Sequence, residues 1–298
     1  MALPNFLIIG APKCGTTALH NYMAEHPDIF MSNPKEPQWF VAEELRETPY
    51  FDALVHSDEE YEALFDAAGD VPVRGESSAL YFYSATAPGR IKSALGDPKL
   101  VLLLRQPADR IYSGFHFRQQ IGYDVLDDFE TIARAWLRDE YLEKAIHRLS
   151  FDYSNYSKFL PVWRDTFGPD RLKIFLHDDL KKDTIGLCRE IYRYLGVDDT
   201  FAPNAQVAHN ATLVPEKQSV EALFQTESPL RTVGRRLVPK PFKQALHRYR
   251  RKNWKRVEPI DPMLRAEITE HFHDDIDRTA ELIGRDLSHW KAGAQAAK

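Results

Sequence analysis

Gly10-Ala-Pro-Lys13-Cys14-Gly15-Thr16-Thr17 gathers one cation, one thiol, two hydroxyls and two glycines into eight residues. Such a set is suited to gripping an anion. Glycines admit backbone geometry and close ligand approach that a Cβ would block, and free amides at a helix start, with the helix dipole behind them, attract negative charge. A second pair, Arg105 and Ser113, offers a guanidinium and a hydroxyl that could hold a second phosphate. Two separate anion clamps imply a ligand with two anionic ends. A third group is suited to proton chemistry: Glu36 in a proline-bounded loop, Glu76 at the end of an apolar stretch, and His116 one helical turn after Ser113.

The first set has the spacing of the nucleotide loop G-x-x-x-x-G-K-[ST], with one departure. Thr16 stands where the lysine belongs, and the cation is inside the turn at Lys13. A triphosphate loop uses its lysine on the β- and γ-phosphates and its last hydroxyl on magnesium, so moving the lysine predicts a different, shorter 5′ anion. A plain strand-to-helix turn with no ligand is the alternative. Cys14 at the helix start could carry a reactive thiol, although a small turn residue suffices.

The elements that must position these groups alternate. Phe6-Leu-Ile-Ile9 reads as a buried strand and Thr16–Glu25 as the following helix. Prolines 27, 34 and 37 then allow only a short extended piece and a loop. Ser57-Asp-Glu-Glu60 has capping-box spacing for a helix to about Ala68, and Val71–Glu76 reads as a strand. A helix from Ala87 to Leu95 and the strand Lys99–Leu104 follow. Asp127–Leu149 and Ser154–Phe167 have helical spacing, Leu172–Leu176 is a further strand, and Thr184–Leu195 a helix closed by Gly196. Leu264–Ile283 reads as one closing amphipathic helix. The alternation predicts an α/β fold with a central, mostly parallel sheet flanked by helices, in which the loops after Ile9, Glu76 and Leu104 converge on one pocket.

The 298 residues and 43% hydrophobic content can supply a proper core. A net charge of −5 disfavours a general nucleic-acid binder. The only cysteines, Cys14 and Cys188, make neither a disulfide framework nor a zinc cluster, and no carboxylate cluster has magnesium-site spacing, so no metal is expected. No apolar run reaches the length of a membrane span and the chain enters its first strand without a signal pattern, so a soluble, cytoplasmic protein is expected. From Arg231 to Arg256 there are eleven Lys or Arg and no Asp or Glu, interleaved with Val233, Leu237, Phe242, Leu246, Tyr249 and Trp254. That pattern suits contact with an anionic membrane or polyanion, a lid over a phosphate ligand, or simply a solvated helix face.

Gly10-Ala-Pro-Lys-Cys-Gly-Thr-Thr17 resembles the 5′-phosphosulfate loop of sulfotransferases, and Arg105-x-Pro-x-x-Arg-x-x-Ser113 resembles their 3′-phosphate motif. Lys35-Glu36-Pro-Gln-Trp-Phe40 is similar to the acid-containing segment of the carbohydrate, heparan-sulfate-type branch. Tyr156-x-x-x-Leu160-x-x-Trp163, His177-Asp-Asp-Leu180, Tyr194-Leu-Gly196 and the ending Ile283–Trp290 look like later segments of that branch and of bacterial members. The resemblance implies a single P-loop-type three-layer domain over residues 1–298, with an α/β core to residue 200 and a nucleotide-covering loop, basic segment and C-terminal helix after it. It implies 3′-phosphoadenosine 5′-phosphosulfate (PAPS) as co-substrate, no metal, and in-line sulfuryl transfer to a hydroxyl or amine of a saccharide, glycolipid or small metabolite. Lys13, Cys14, Gly15, Thr16, Thr17, Arg105, Ser113 and Lys217 would bind the nucleotide. Lys13 would also support the leaving group and Glu36 would be the base, with Glu76 and His116 toward the acceptor. A lysine usual after the glutamate matching Glu76 is replaced here by Ser77. An ATP-dependent kinase and a non-catalytic polyanion binder are the competing readings.

Overall fold

The structure is a computed structural model, and it describes residues 3–41, 55–121, 123, 127–205, 213–215 and 254–292. Lys217, the loop around it and all of the basic segment before Trp254 lie outside the described residues.

The chain forms two compact units. The first comprises Met1–Gln106, Asn155–Asn210 and Asp274–Leu287 and holds a five-stranded parallel sheet. Its elements in chain order are β1 (Phe6–Gly10), α1 (Thr16–Ala24), β2 (Ile29–Met31), α2 (Asp58–Ala63), β3 (Val73–Ser77), α3 (Ala87–Leu95) and β4 (Lys99–Leu104). Spatially the strands run β2-β3-β1-β4, with a fifth strand beside β4. The chain leaves β1 for the β2 edge, returns through β3, and then crosses to β4 on the other side of β1. Strand order therefore reverses at β1, and in an open parallel sheet the crevice beyond the carboxyl ends at such a point is where ligands bind. Every residue of β1 is buried, and Leu100 to Leu104 of β4 have no exposed surface. Fully burying such side chains contributes roughly 1.5–3 kcal/mol each, which anchors the rims of the crevice to the least deformable part of the unit.

The second unit comprises Pro107–Ser154, Ala211–His273 and Ser288–Lys298. It contains α4 (Pro107–Ile121), α5 (Phe129–Leu137) and α6 (Ala145–Asp152). The first unit resumes with α7 (Tyr156–Arg171, interrupted at Gly168), β5 (Leu172–Leu176), α8 (His177–Lys182) and α9 (Thr184–Leu195). An antiparallel pair, β6 (Leu213–Pro215) with β7 (Trp254–Arg256), and α10 (Pro262–His271) return to the second unit, and α11 (His273–Ile283) lies almost wholly in the first. Trp136 centres the second unit, stacking on Phe151 at 4.1 Å and on Phe272 at 5.6 Å between ring centroids.

The ranges expected for α3, β4, β5 and α9 hold as stated. Two expected long helices are each broken. The apolar face expected over Asp127–Leu149 ends at Leu137, and Asp139 then adopts a left-handed φ of 53°, so α5 and α6 are separate. Phe272, fully buried, takes a non-helical conformation and divides the expected Leu264–Ile283 helix into α10 and α11. The helix capped by Ser57 stops at Ala63, with one further 3-10 turn to Ala68. Among the described residues no helix is long and apolar enough to cross a membrane, and no group of His, Cys, Asp and Glu is placed to hold a metal ion.

Candidate functional site

The loop from Gly10 to Thr17 crosses directly from the most buried strand into α1. The Ala11 amide bonds the Leu103 carbonyl at 2.8 Å, tying the loop to β4 as it leaves the sheet. Lys13 stands at φ 70° and Gly15 at φ 98°. Left-handed geometry at a lysine costs energy that a loop without a constrained task would avoid. A Cβ on Gly15 would lie 2.8 Å from Leu180 Cδ2 in addition to that strain, which explains the glycine. No side chain caps the amino end of α1 and its first turn holds no acidic residue. Its amides and dipole are thus presented to whatever sits in the turn. Thr16 is buried and Thr17 half-buried at this helix start, and Cys14 is fully buried with its Sγ 3.9 Å from Tyr156 Oη.

Arg105 follows β4 and donates from Nη1 to the Lys13 carbonyl at 3.1 Å. Tyr156, at the start of α7, donates its hydroxyl to the Arg105 carbonyl at 2.7 Å. That helix start is itself fixed by Asp275, whose carboxylate accepts the Tyr156 and Ser157 amides at 2.9 and 3.0 Å. Turn and arginine are therefore braced against each other and against a third element. Ser113 and His116 lie on α4 in the second unit. Within that unit His116 Nδ1 pairs with Gln119 Oε1 at 2.8 Å, its ring meets Tyr112 edge to face, and burial lowers its pKa so that the imidazole is neutral near pH 7. Among the described residues its Nε2 is buried without a hydrogen-bond partner. Arg110 is buried as well, donating to Ser154 Oγ at 2.9 Å and to the Ser150 carbonyl.

Glu36 also has a left-handed φ, of 62°, and Gln38 one of 55°. Three bonds stitch this segment to the chain leaving β3. The Glu36 amide bonds the Ser77 carbonyl at 2.9 Å, the Gln38 amide bonds Ser78 Oγ at 2.9 Å, and the Ala79 amide donates to Glu36 Oε2 at 2.8 Å. The Ala79 carbonyl in turn lies 3.0 Å from where a Gly10 Cβ would be. The Glu36 carboxylate is accordingly held by the residue whose carbonyl packs beside Gly10, the first residue of the anion turn. Its other oxygen is ion-paired with Lys35, and it remains 31% exposed, open to a ligand.

Behind this segment Glu76 has no exposed surface. Tyr61 Oη donates to its Oε1 at 3.1 Å and Ser78 Oγ to its Oε2 at 2.8 Å, and the Tyr81 hydroxyl also bonds it. Burial pushes the carboxyl up to about 7, with the nearby Glu36 charge adding to the rise and the three hydroxyl bonds opposing it. The same hydroxyls that bond Glu76 accept the amides of Gln38, at Ser78, and of Phe40, at Tyr81 and 3.4 Å. Glu76 is thus linked, through shared hydroxyls, to the segment that carries Glu36.

The structure brings Lys13, Cys14, Gly15, Thr16, Thr17, Arg105, Glu36 and Glu76 into the first unit. Sequence reasoning missed three contributors there: Lys35, His20 and Ser78. Lys35 stood in a quoted motif, and His20 follows Thr16 by one helical turn, so a period-3.6 reading of α1 could have placed it near the turn.

A parallel α/β sheet with an anion turn at its strand-order reversal, a carboxylate tied to the residue packed beside that turn and an arginine directly after the neighbouring strand defines a nucleotide- or anion-binding class. The chain belongs to the sulfotransferase family: the family model "Sulfotransferase domain" matches residues 3–279. It is 28% identical over 199 residues to the human "Bifunctional heparan sulfate N-deacetylase/N-sulfotransferase 3", covering 65% of this chain and 22% of that protein. It is 24% identical over 334 aligned positions to mouse "Carbohydrate sulfotransferase 15", covering 97% of this chain and 55% of that protein. The chain thus spans between about a fifth and about half the length of these relatives. A solved sulfotransferase from Alicyclobacillus acidocaldarius superposes with a TM-score of 0.69 at 23% identity over 98% of this chain and all of that one, which shows a shared fold.

Proposed function

We propose that the protein moves a sulfuryl group from PAPS to an acceptor hydroxyl or amine by in-line displacement, acting as one catalytic domain over residues 1–298. The observation that carries this reading is the match of residues 3–279 to the sulfotransferase family together with a turn whose lysine lies inside it, at φ 70° beside Arg105. The residues present suit such a donor. The turn amides, Lys13 and Thr17 would take the 5′-phosphosulfate and Arg105 the 3′-phosphate, to which Ser113 is assigned on its sequence motif alone. Lys217 is kept as a weak nucleotide contact on its position in the sequence.

The donor supplies an activated sulfuryl group, and the chain orients and stabilises. Lys13 and the amides of the turn would offset the negative charge that grows on the leaving oxygen. Glu36, anchored through Ala79 but still exposed at one edge, would accept the acceptor's proton. The relatives' names point to a saccharide acceptor, and N- as well as O-sulfation fits a base at this place. His116, one helical turn after Ser113 in the sequence, is the alternative base or acceptor contact. A cytoplasmic location and a polyanion or membrane contact through residues 231–256 complete the reading on sequence grounds.

Calorimetry with 3′-phosphoadenosine 5′-phosphate (PAP) tests it. The wild-type protein should bind PAP without magnesium, and Arg105→Ala should weaken binding roughly 10–100-fold, the range for a lost charge-assisted hydrogen bond. Binding indifferent to Arg105→Ala removes the 3′-phosphate assignment, and magnesium-dependent ATP binding in place of PAP would favour a kinase.

A further inference from the structure

Glu36 is already engaged on both oxygens. Oε2 receives the Ala79 amide, and Oε1 is ion-paired with the ammonium of its own neighbour, Lys35. An oxygen covered by an ammonium is closed to an incoming acceptor, so that pair has to open before Oε1 can take a proton. The two halves of the pair differ in how firmly they are held. Glu36 is fixed through its amide, its side chain and its strained backbone. Lys35 is joined to it through a flexible four-carbon stem.

The surroundings of the ammonium are unusual for a loop lysine. Its side chain is only 17% exposed. Its charge acts on His20, whose Nδ1 pairs with Ser77 Oγ at 2.9 Å. Burial and then the Lys35 charge push that imidazole down to about 4, so it is neutral and offers the ammonium no counter-charge. Lys35 is therefore a largely covered cation whose charge is felt by a neutral His20, itself one helical turn along α1 from Thr16. An anion bound at the start of α1 would offer that cation a second partner.

The geometry points to Lys35 as a catalytic residue that leaves Glu36 for the sulfuryl oxygens of the bound donor, freeing Glu36 as it does so. This rests on the sulfotransferase reading above. In the step, the acceptor oxygen forms a bond to sulfur as the bond from sulfur to the bridging phosphate oxygen breaks. That bridging oxygen keeps the electron pair, the acceptor's proton goes to Glu36, and Lys35 keeps its own proton throughout. Its charge offsets the charge on the sulfuryl oxygens and spares Glu36 a neutralising neighbour at the moment of proton transfer.

PAP and PAPS differ by the sulfuryl group alone, so the pair isolates the contact. Lys35→Met should bind PAP within about twofold of wild type and PAPS about tenfold more weakly, as expected for a lost charge-assisted contact. Lys35→Arg should recover most of the PAPS affinity. The rate of ³⁵S transfer from labelled PAPS, measured in a cell extract in which the wild type is active, should fall at least tenfold in Lys35→Met. Equal changes for PAP and PAPS, or transfer that is unchanged or faster once Glu36 loses its partner, would overturn the proposal. A wild type that binds neither nucleotide would instead remove the sulfotransferase reading. Normal transfer in Glu36→Gln with loss in Lys35→Met would remove only the base assignment.

Discussion

Glu36→Gln is expected to keep wild-type affinity for PAP while sulfuryl transfer falls on the order of 10²–10⁴-fold, the range for loss of a general base. The substitution is close to silent in shape. A glutamine oxygen can still accept the Ala79 amide, and the Glu36 amide bond to Ser77 belongs to the backbone, so the segment should stay in place. What disappears is the capacity to take a proton. Binding measured by calorimetry and single-turnover transfer measured with labelled donor separate the two effects. A variant that turns over normally would shift the proton-accepting role to Glu76 or His116.

Glu76→Gln should change the pH dependence of stability by on the order of 3 kcal/mol. The Glu76 carboxyl has an ordinary value of 4.5 and is raised to about 7 in the folded protein by complete burial. Below pH 4.5 it is protonated in both states and its contribution is fully present. As pH rises toward 7 the unfolded chain ionises while the folded one holds its proton, and stability is progressively lost. Above pH 7 the folded protein carries a buried charge held by three hydroxyls. Glutamine cannot ionise, so the variant should gain on the wild type steadily between pH 4.5 and about 8. Urea unfolding at several pH values reads this directly. Parallel stability curves for the two proteins would mean that Glu76 does not change ionisation between folded and unfolded states over this range.

The parts of the fold that follow from local pattern were legible in the sequence. β1, β4 and β5 are short apolar runs between turn signals, and α3 and α9 carry clean stops, at Gly96 and at the left-handed Gly196. The breaks in the long helices were not legible. A polar stretch such as 138–144 has helical spacing by chance, and only tertiary burial of Phe272 decides that α10 ends there. The turn was legible because its glycines and lysine all fall between Gly10 and Gly15. The carboxylates were legible as residues but not as environments. Nothing local says that Glu76 is sealed beneath Tyr61, Ser78 and Tyr81, because the Ser78 and Tyr81 hydroxyls are also bonded by the amides of Gln38 and Phe40, 40 and 41 residues away, or that Lys35 pairs with Glu36, which goes with left-handed backbone at Glu36. Long-range hydrogen bonding between buried groups has no one-dimensional signature.

Incubation of the protein with ³⁵S-labelled PAPS and a mixed extract of saccharides, glycolipids and small metabolites, followed by isolation of the labelled product, tests the central claim most directly. Label should pass to an acceptor hydroxyl or amine with release of PAP, and the transfer should disappear in Lys13→Ala. Tight binding of PAPS with no label transferred to any component, or magnesium-dependent turnover of ATP in its place, would contradict it.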